Sequence, residues 1–299
     1  MNAPERILRA GGRRIRLGGA PLLMGIVNAS PDSFSDAGEL TNQGARIARA
    51  SELVAAGAAI IDVGGESAFG GRPPVPPEEE IDRVVPVIAA AARELDVLIA
   101  VDTYKPAVAE AAIAAGAHIV NDVSGLRDPE LAELCAGAGA GLVLMHTRVA
   151  PKGTLLDPDR YDDVVADVEG FLCERIAVAE AAGMHPEQLL LDPGPDFAKT
   201  PAQTVAVLRG LDTLHALGRP LLLPISRKDF LGAITGRPAR ERDAATLAAV
   251  GWAADAGAHV LRLHDVRAAG DFLAVRAVLR GDRVLAPAEG LTPDRYPGS

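Results

Sequence analysis

Eight short apolar runs in this chain each give way to a residue that could do chemistry. Leu22–Val27 is followed by Asn28, with Ser30 and Asp32 just beyond. Ala58–Val63 carries Asp62 and runs on to Glu66 and Ser67. Val97–Val101 stops at Asp102, and Ala117–Val120 at Asn121 and Asp122. Gly141–Met145 stops at His146 and Gln188–Leu191 at Asp192. Pro220–Ile225 leads into Ser226, Arg227 and Lys228. His259–Leu263 carries Arg262 and leads into His264 and Asp265. The set divides by chemistry. Asp102, Asn121 and Asp192 offer carboxylate and amide groups, which suit the amino and ring N–H donors of a flat, guanidine-like heterocycle. Lys228, Arg262 and His264, with Asn28, offer cations and donors to a phosphate. The chain as a whole is acidic, with net charge −10, so cations kept together point to an anion held locally. The implied substrate has an aminoheterocycle at one end and a phosphorylated arm at the other.

Those residues need a scaffold that brings eight strand ends to one place. Between the apolar runs lie alanine-rich segments with helical composition. They are Gly44–Ala56, Pro77–Arg93, Pro106–Ala115, Pro129–Ala138, Tyr161–Ala182, Pro201–Leu217, Ala239–Ala256 and Val266–Leu279. Pro77 and Pro106 suit the first helical position, and Pro77 is followed by three glutamates fit for a first turn. The runs lack strict alternation, as expected of strands buried on both faces. Eight strand–helix units predict an α/β fold, a (β/α)8 TIM barrel in a single domain, rather than an open doubly wound sheet. The barrel is expected over residues 1–285, with 1–20 as a hairpin or lid across its bottom and 286–299 as a flexible tail. In such a barrel the eight polar strand ends share one rim.

Composition removes several function classes. The acidic balance gives no overall attraction to nucleic acid or anionic lipid, and only 3% of the residues are aromatic, too few for a base-stacking platform. Two cysteines, Cys135 and Cys173, exclude a disulfide scaffold and suit a reducing compartment; both are expected to be buried. The first residues lack the apolar core of a signal peptide, and no stretch has the length of a membrane span. The expectation is a cytoplasmic enzyme acting on small molecules, with no nucleic acid and no membrane partner.

At these positions the chain resembles the dihydropteroate synthase family. The stretches that carry the resemblance are GIVNASPDSFSD (Gly25–Asp36), DVGGES (Asp62–Ser67), VDTYKP (Val101–Pro106), NDVSGL (Asn121–Leu126), LMH (Leu144–His146), DPG (Asp192–Gly194), SRK (Ser226–Lys228) and RLHDV (Arg262–Val266). The resemblance implies a transferase of folate biosynthesis that condenses 6-hydroxymethyl-7,8-dihydropterin diphosphate with p-aminobenzoate and is a target of sulfonamides. It implies catalytic roles for Asp102, Asp192, Lys228 and Arg262. It implies a substrate-binding set of Asn121, Asp102, Asp192, Lys228, Met145, Phe197, Ser226, Arg262 and His264, with Ala68 and Phe69 on the acceptor side. It implies Mg²⁺ held by Asn28 against the diphosphate, and a homodimer, to which Trp252 could contribute. The first two loops, Asn28–Thr41 and Gly64–Pro77, would close as lids and exclude water.

The departures from the family pattern concentrate on the acceptor side. The family's GGESTRPG reads GGESAFGG here, and its DPGxGFGK reads DPGPDFAK, with Asp196 and Ala198 in place of glycines. Arg148 and Lys152 are candidates to replace the lost arginine. Two other readings compete with the synthase: a non-catalytic or acceptor-altered pterin-binding paralogue, and a pterin-dependent methyltransferase barrel. The chain lacks the DxHxxG corrinoid signature of the latter class.

Overall fold

Apolar runs flanked by turn residues become short strands, and the alanine-rich segments between them become helices that cover the sheet. In the computed structural model, described over residues 4–29, 43–67 and 73–286, the order is β1 (Arg6–Ala10), β2 (Arg13–Leu17), β3 (Leu22–Asn28), α1 (Gln43–Ala55), β4 (Ile60–Gly64), α2 (Pro77–Glu94), β5 (Leu98–Asp102), α3 (Pro106–Ala114), β6 (Ile119–Asp122), α4 (Glu130–Ala138), β7 (Gly141–Met145), α5 (Val164–Ala181), β8 (Leu189–Asp192), α6 (Pro201–Arg209), α7 (Leu211–His215), β9 (Leu222–Leu223), α8 (Asp229–Thr235), α9 (Asp243–Asp255), β10 (Val260–Leu263) and α10 (Val266–Arg280). Strands β3 to β10 form one parallel sheet in the order β8-β7-β6-β5-β4-β3-β10-β9. A bridge between Leu191 and Leu221 joins its two edges, so the sheet closes into the expected single-domain (β/α)8 barrel. The tail beyond Ala286 lies outside the described residues, as do the greater part of the first loop and the centre of the second.

Two cores hold this barrel. The larger lies between the outward strand faces and the helices. The smaller fills the barrel floor with Met24, Ile60, Leu98, Ala100, Ile119, Val143, Leu190, Leu222 and Val260, and Leu8, Ala10 and Leu17 of the β1–β2 hairpin plug it from below. The β1–β2 hairpin thus packs on the barrel floor. Leu8 is fully buried. Replacing it by alanine is expected to lower stability by about 2–5 kcal/mol in denaturant titration while leaving turnover unchanged, because the hairpin is at the far end from the rim.

The inward positions explain the rim. Side chains alternate along a strand, so residues two apart share a face. Two residues beyond inward Ile60 stands Asp62; beyond Ala100, Asp102; beyond Ile119, Asn121; beyond Leu190, Asp192; beyond Val260, Arg262; beyond Val143, Met145. One period-2 step carries each strand from an apolar floor to a functional ceiling.

Three expectations need correction. The segment Pro201–Leu217 is two helices, broken at Gly210, where a Cβ would come within 2.7 Å of Val165 on α5. The run Pro220–Ile225 pairs as a strand only over Leu222–Leu223, because Pro220 and Pro224 flank it and lack the N–H a ladder needs; the short helix α8 follows directly, where no helix is expected from the sequence. Cys173 is exposed, whereas Cys135 is buried as expected.

Candidate active site

The centre of the rim is Arg262. Its Nε donates to Asp62 Oδ2 at 2.5 Å and its Nη2 to Asp102 Oδ2 at 2.7 Å. Asn121 Nδ2 donates to the same Asp62 oxygen at 3.1 Å. The other oxygen of Asp62 is buried and has no hydrogen-bond partner among the described residues. Asp62 reads from the sequence as a structural hydrogen-bonding group; the structure makes it the hub of the cluster as well. Its place on the inward face of β4, two beyond Ile60, is the signal that marks it.

Asp192 closes β8 opposite Met145 in register. Its Oδ1 accepts from Gly194 N at 2.7 Å. Lys228 lies over the Phe197 ring, 4.6 Å from its centroid, and its charge is felt by Asp192, Asp196 and Arg262. Lys228 is aimed by a constrained neighbour. Arg227 has φ +56°, a costly conformation for a non-glycine residue, and is held by two contacts to Asp243, at 2.7 and 3.2 Å. Asp102, Asn121, Asp192, Lys228 and Arg262 thus meet in one place, with Met145 opposite Asp192 in the sheet and Phe197 under Lys228.

Three carboxylates face two cations here, and the balance shows in the proton affinities. Burial pushes the Asp102 carboxyl up to about 7, against the pull of Arg262 and with the push of Asp62. Burial likewise pushes Asp192 up to about 6, although Gly194 N–H and Lys228 oppose it. Loss of water around the Lys228 ammonium lowers its pKa, and Asp196 and Asp192 hold it back. Burial also opposes the charge of Arg262, but Asp62 and Asp102 outweigh it and keep the guanidinium protonated. The cluster is short of positive partners, so a ligand bringing N–H donors and partial positive charge is welcome.

Ser226 is buried behind His264. Its Oγ lies 2.9 Å from His264 Nδ1 and accepts from His264 N at 3.2 Å. Ser226 thus fixes the orientation of the His264 ring through its Nδ1 side. Ser226→Ala is expected to raise KM for an anionic substrate by about three- to tenfold with little change in kcat, measured by steady-state kinetics. Asn28 ends β3 beside Gly64 of β4. Ala68 and Phe69 lie outside the described residues.

Not every polar strand end belongs to this pocket. Asp122 points the other way and accepts from Ser124 N at 2.7 Å and Leu126 N at 2.5 Å, tying the turn after β6. Asp265 caps α10 through Ala268 N. His146 is fully buried, with Nε2 on Asp167 at 2.9 Å. The two cations expected to compensate on the acceptor side have other partners. Arg148 makes two contacts to Asp167 on α5, at 2.9 and 2.7 Å. Lys152 holds Glu66 at 2.8 Å and reaches Ser67 O at 2.5 Å. Glu66 also pairs with Lys105, which in turn holds Glu80 and Val75 O. Lys152 therefore ties the β7–α5 loop to the base of the second loop.

Known proteins share this fold. Residues 24–264 match the family described as pterin binding enzyme. The dihydropteroate synthase of Escherichia coli K12 is 42% identical over 247 residues, spanning 83% of this chain and 87% of that one. The structure of Xanthomonas albilineans dihydropteroate synthase with 4-aminobenzoic acid superposes with TM-score 0.84 at 43% identity, covering 93% of this chain and 99% of that one. That of Yersinia pestis dihydropteroate synthase in complex with a sulfonamide drug gives 0.86 at 38% identity, covering 93% and 100%. With the convergent cluster at the barrel rim, these likenesses show that the chain belongs to the dihydropteroate synthase family of pterin-binding enzymes.

Proposed function

We infer that this barrel mouth joins 6-hydroxymethyl-7,8-dihydropterin diphosphate to p-aminobenzoate and releases pyrophosphate, making dihydropteroate for folate. The observation that carries the reading is the acid cluster of Asp62, Asp102, Asn121 and Asp192 gathered around Arg262, with Lys228 beside it. The acids and the amide accept from the pterin's amino and ring N–H groups, and Met145 and Phe197 flank the ring. The C–O bond to diphosphate breaks with its electron pair leaving on pyrophosphate. The electron-poor methylene carbon is then taken by the arylamine lone pair, and the amine gives up one proton. Asp102 and Asp192 stabilise the ring as it gains positive charge, while Arg262 and His264 draw off the departing anion. No side chain needs to act as a nucleophile.

Asn28 would hold Mg²⁺. Among the described residues no group of three His, Cys, Asp or Glu side chains stands together as a cage. A single amide oxygen suits a hard cation that keeps its waters and takes its other ligands from a diphosphate. Bound there, the ion would neutralise charge on the leaving group.

The Yersinia pestis enzyme takes a sulfonamide drug; here too sulfonamides are expected to compete with p-aminobenzoate. Trp252 on α9 and Val275 and Leu279 on α10 stand exposed on helices that pack together, and a second copy of the chain is the partner we assign to that face; light scattering at twice the 30.9 kDa chain mass would bear this out. No helix among the described residues is long and apolar enough to cross a membrane. The direct test of the reaction is purified protein with the diphosphate, p-aminobenzoate and Mg²⁺: equal release of pyrophosphate and dihydropteroate is expected, and absence of both would refute the assignment.

A further inference from the structure

The segment from Asp192 to Lys199 is a turn under strain. Asp196 and Ala198 have φ of +67° and +51°, and Gly194 has φ +64°. At Gly194 a Cβ would come within 2.0 Å of His146 O, so this backbone lies hard against β7's end. Non-glycine residues in the left-handed region persist only where their surroundings force them to. Asp196 is held by Thr204 Oγ1 and by Asp229 N, and Ala198 O accepts from the Tyr161 hydroxyl at 2.7 Å; the carbonyls between and before them are held by one buried side chain. Lys199 is the largest completely buried side chain among the described residues. Its Nζ donates to Gly194 O at 3.0 Å, to Phe197 O at 3.1 Å and to His146 Nδ1 at 2.6 Å. Burial lowers the Lys199 amine to about 7; in its ammonium form it has three protons for these three acceptors. Because His146 Nδ1 accepts, the ring proton sits on Nε2 and goes to Asp167 Oδ1, which Arg148 holds from outside.

We propose that Lys199 is a positioning residue for the pterin: it pins both carbonyls of the strained turn, and so aims the Asp192 carboxylate and the Phe197 ring, with Arg148–Asp167–His146 as its outer brace. The proposal rests on the reading of Asp192 and Phe197 as walls of the pterin pocket. Asp192 Oδ1 takes its hydrogen bond from Gly194 N, and Phe197 carries Lys228 over its ring. Both therefore hang on carbonyls held by one Nζ. Without it, Gly194 O, Phe197 O and His146 Nδ1 lose a buried donor, and the turn keeps only its ties at Asp196 and Ala198.

The test measures the dissociation constant of the pterin diphosphate by calorimetry and KM for p-aminobenzoate by kinetics, in the parent, Lys199→Met, Asp167→Asn and Leu8→Ala. Lys199→Met is expected to weaken pterin binding by about 10- to 100-fold, while KM for p-aminobenzoate changes by less than about threefold. Asp167→Asn, altered at a partly exposed site, is expected to act in the same direction by about threefold. Leu8→Ala, destabilised at the far end of the barrel, controls for lost stability and leaves pterin affinity unchanged. A folded Lys199→Met that binds pterin within twofold of the parent overturns the proposal. Should that variant not fold, an Asp167→Asn protein with unchanged affinity overturns it instead. A parent that binds no pterin refutes the pocket itself, a separate failure.

Discussion

Arg262→Met is expected to lower kcat/KM for the pterin diphosphate by about 10³-fold, and Arg262→Lys by about 10²-fold. The cause is geometric. One guanidinium donates through Nε to Asp62 and through Nη2 to Asp102, and both carboxylates are held deep in the rim. Taking one partner out of a buried ion pair costs about 3–5 kcal/mol, because the remaining charges stay desolvated and unpaired. With methionine in place, the two acids relieve their repulsion by taking up protons or turning apart, and either response removes acceptors from the pterin. Lysine restores the charge but offers a point where the guanidinium offers a fork, so it can serve Asp62 or Asp102 but not both. Pyrophosphate release under saturating p-aminobenzoate measures the effect. A loss of less than about tenfold in Arg262→Lys would show that the two-carboxylate bridge is not what the pocket depends on.

The second large effect is on pH. Pterin affinity is expected to rise by about 10²–10³-fold between pH 5 and pH 8. The carboxylates must be charged to accept from the ring's N–H groups, and burial sets Asp192 to about 6 and Asp102 to about 7. The stability of the free protein should move the opposite way. Both folded-state values lie above the ordinary value of 3.8, so the folded chain binds more protons than the unfolded one across that window. The contribution of these two groups to stability is fully present below about pH 4 and is lost as pH rises through about 6 and then about 7. Asp192→Asn removes one of the two steps. Its stability relative to the parent should therefore improve as pH rises from about 4 to 6, while its pterin affinity becomes less dependent on pH. Parallel calorimetry and thermal melts of the two proteins read both slopes. Pterin affinity that is flat across this range would contradict the assignment of these acids.

How much of this is legible in the sequence depends on distance along the chain. The strand ends are legible because each sits at its own apolar run: Asp102, Asn121 and Asp192 each follow one, and Arg262, inside its run, is singled out by its charge. Asp62 is harder, since it lies inside a run and a single buried acid reads as a structural group. The alternation of Ile60 and Asp62 resolves it only once the floor is known to be inward. Lys199 and His146 are 53 residues apart, and no local pattern pairs them. Lys199 reads as one more residue of a loop motif until its burial is seen. Arg148 and Lys152 have partners hidden for a related reason. Their charge is visible in the sequence, but the partners that take it, Asp167 and Glu66, are brought to them by α5 and the second loop. The short β9 follows from proline chemistry, because Pro220 and Pro224 leave little ladder between them.

A crystal structure of this protein with a dihydropterin and pyrophosphate bound would probe the acid cluster itself. The ring's amino and ring N–H groups are expected on Asp102, Asn121 and Asp192, and pyrophosphate against Arg262, His264 and Asn28. A ring seated anywhere outside that cluster, with Arg262 still bridging Asp62 and Asp102 and touching nothing else, would contradict the pocket assigned to this barrel.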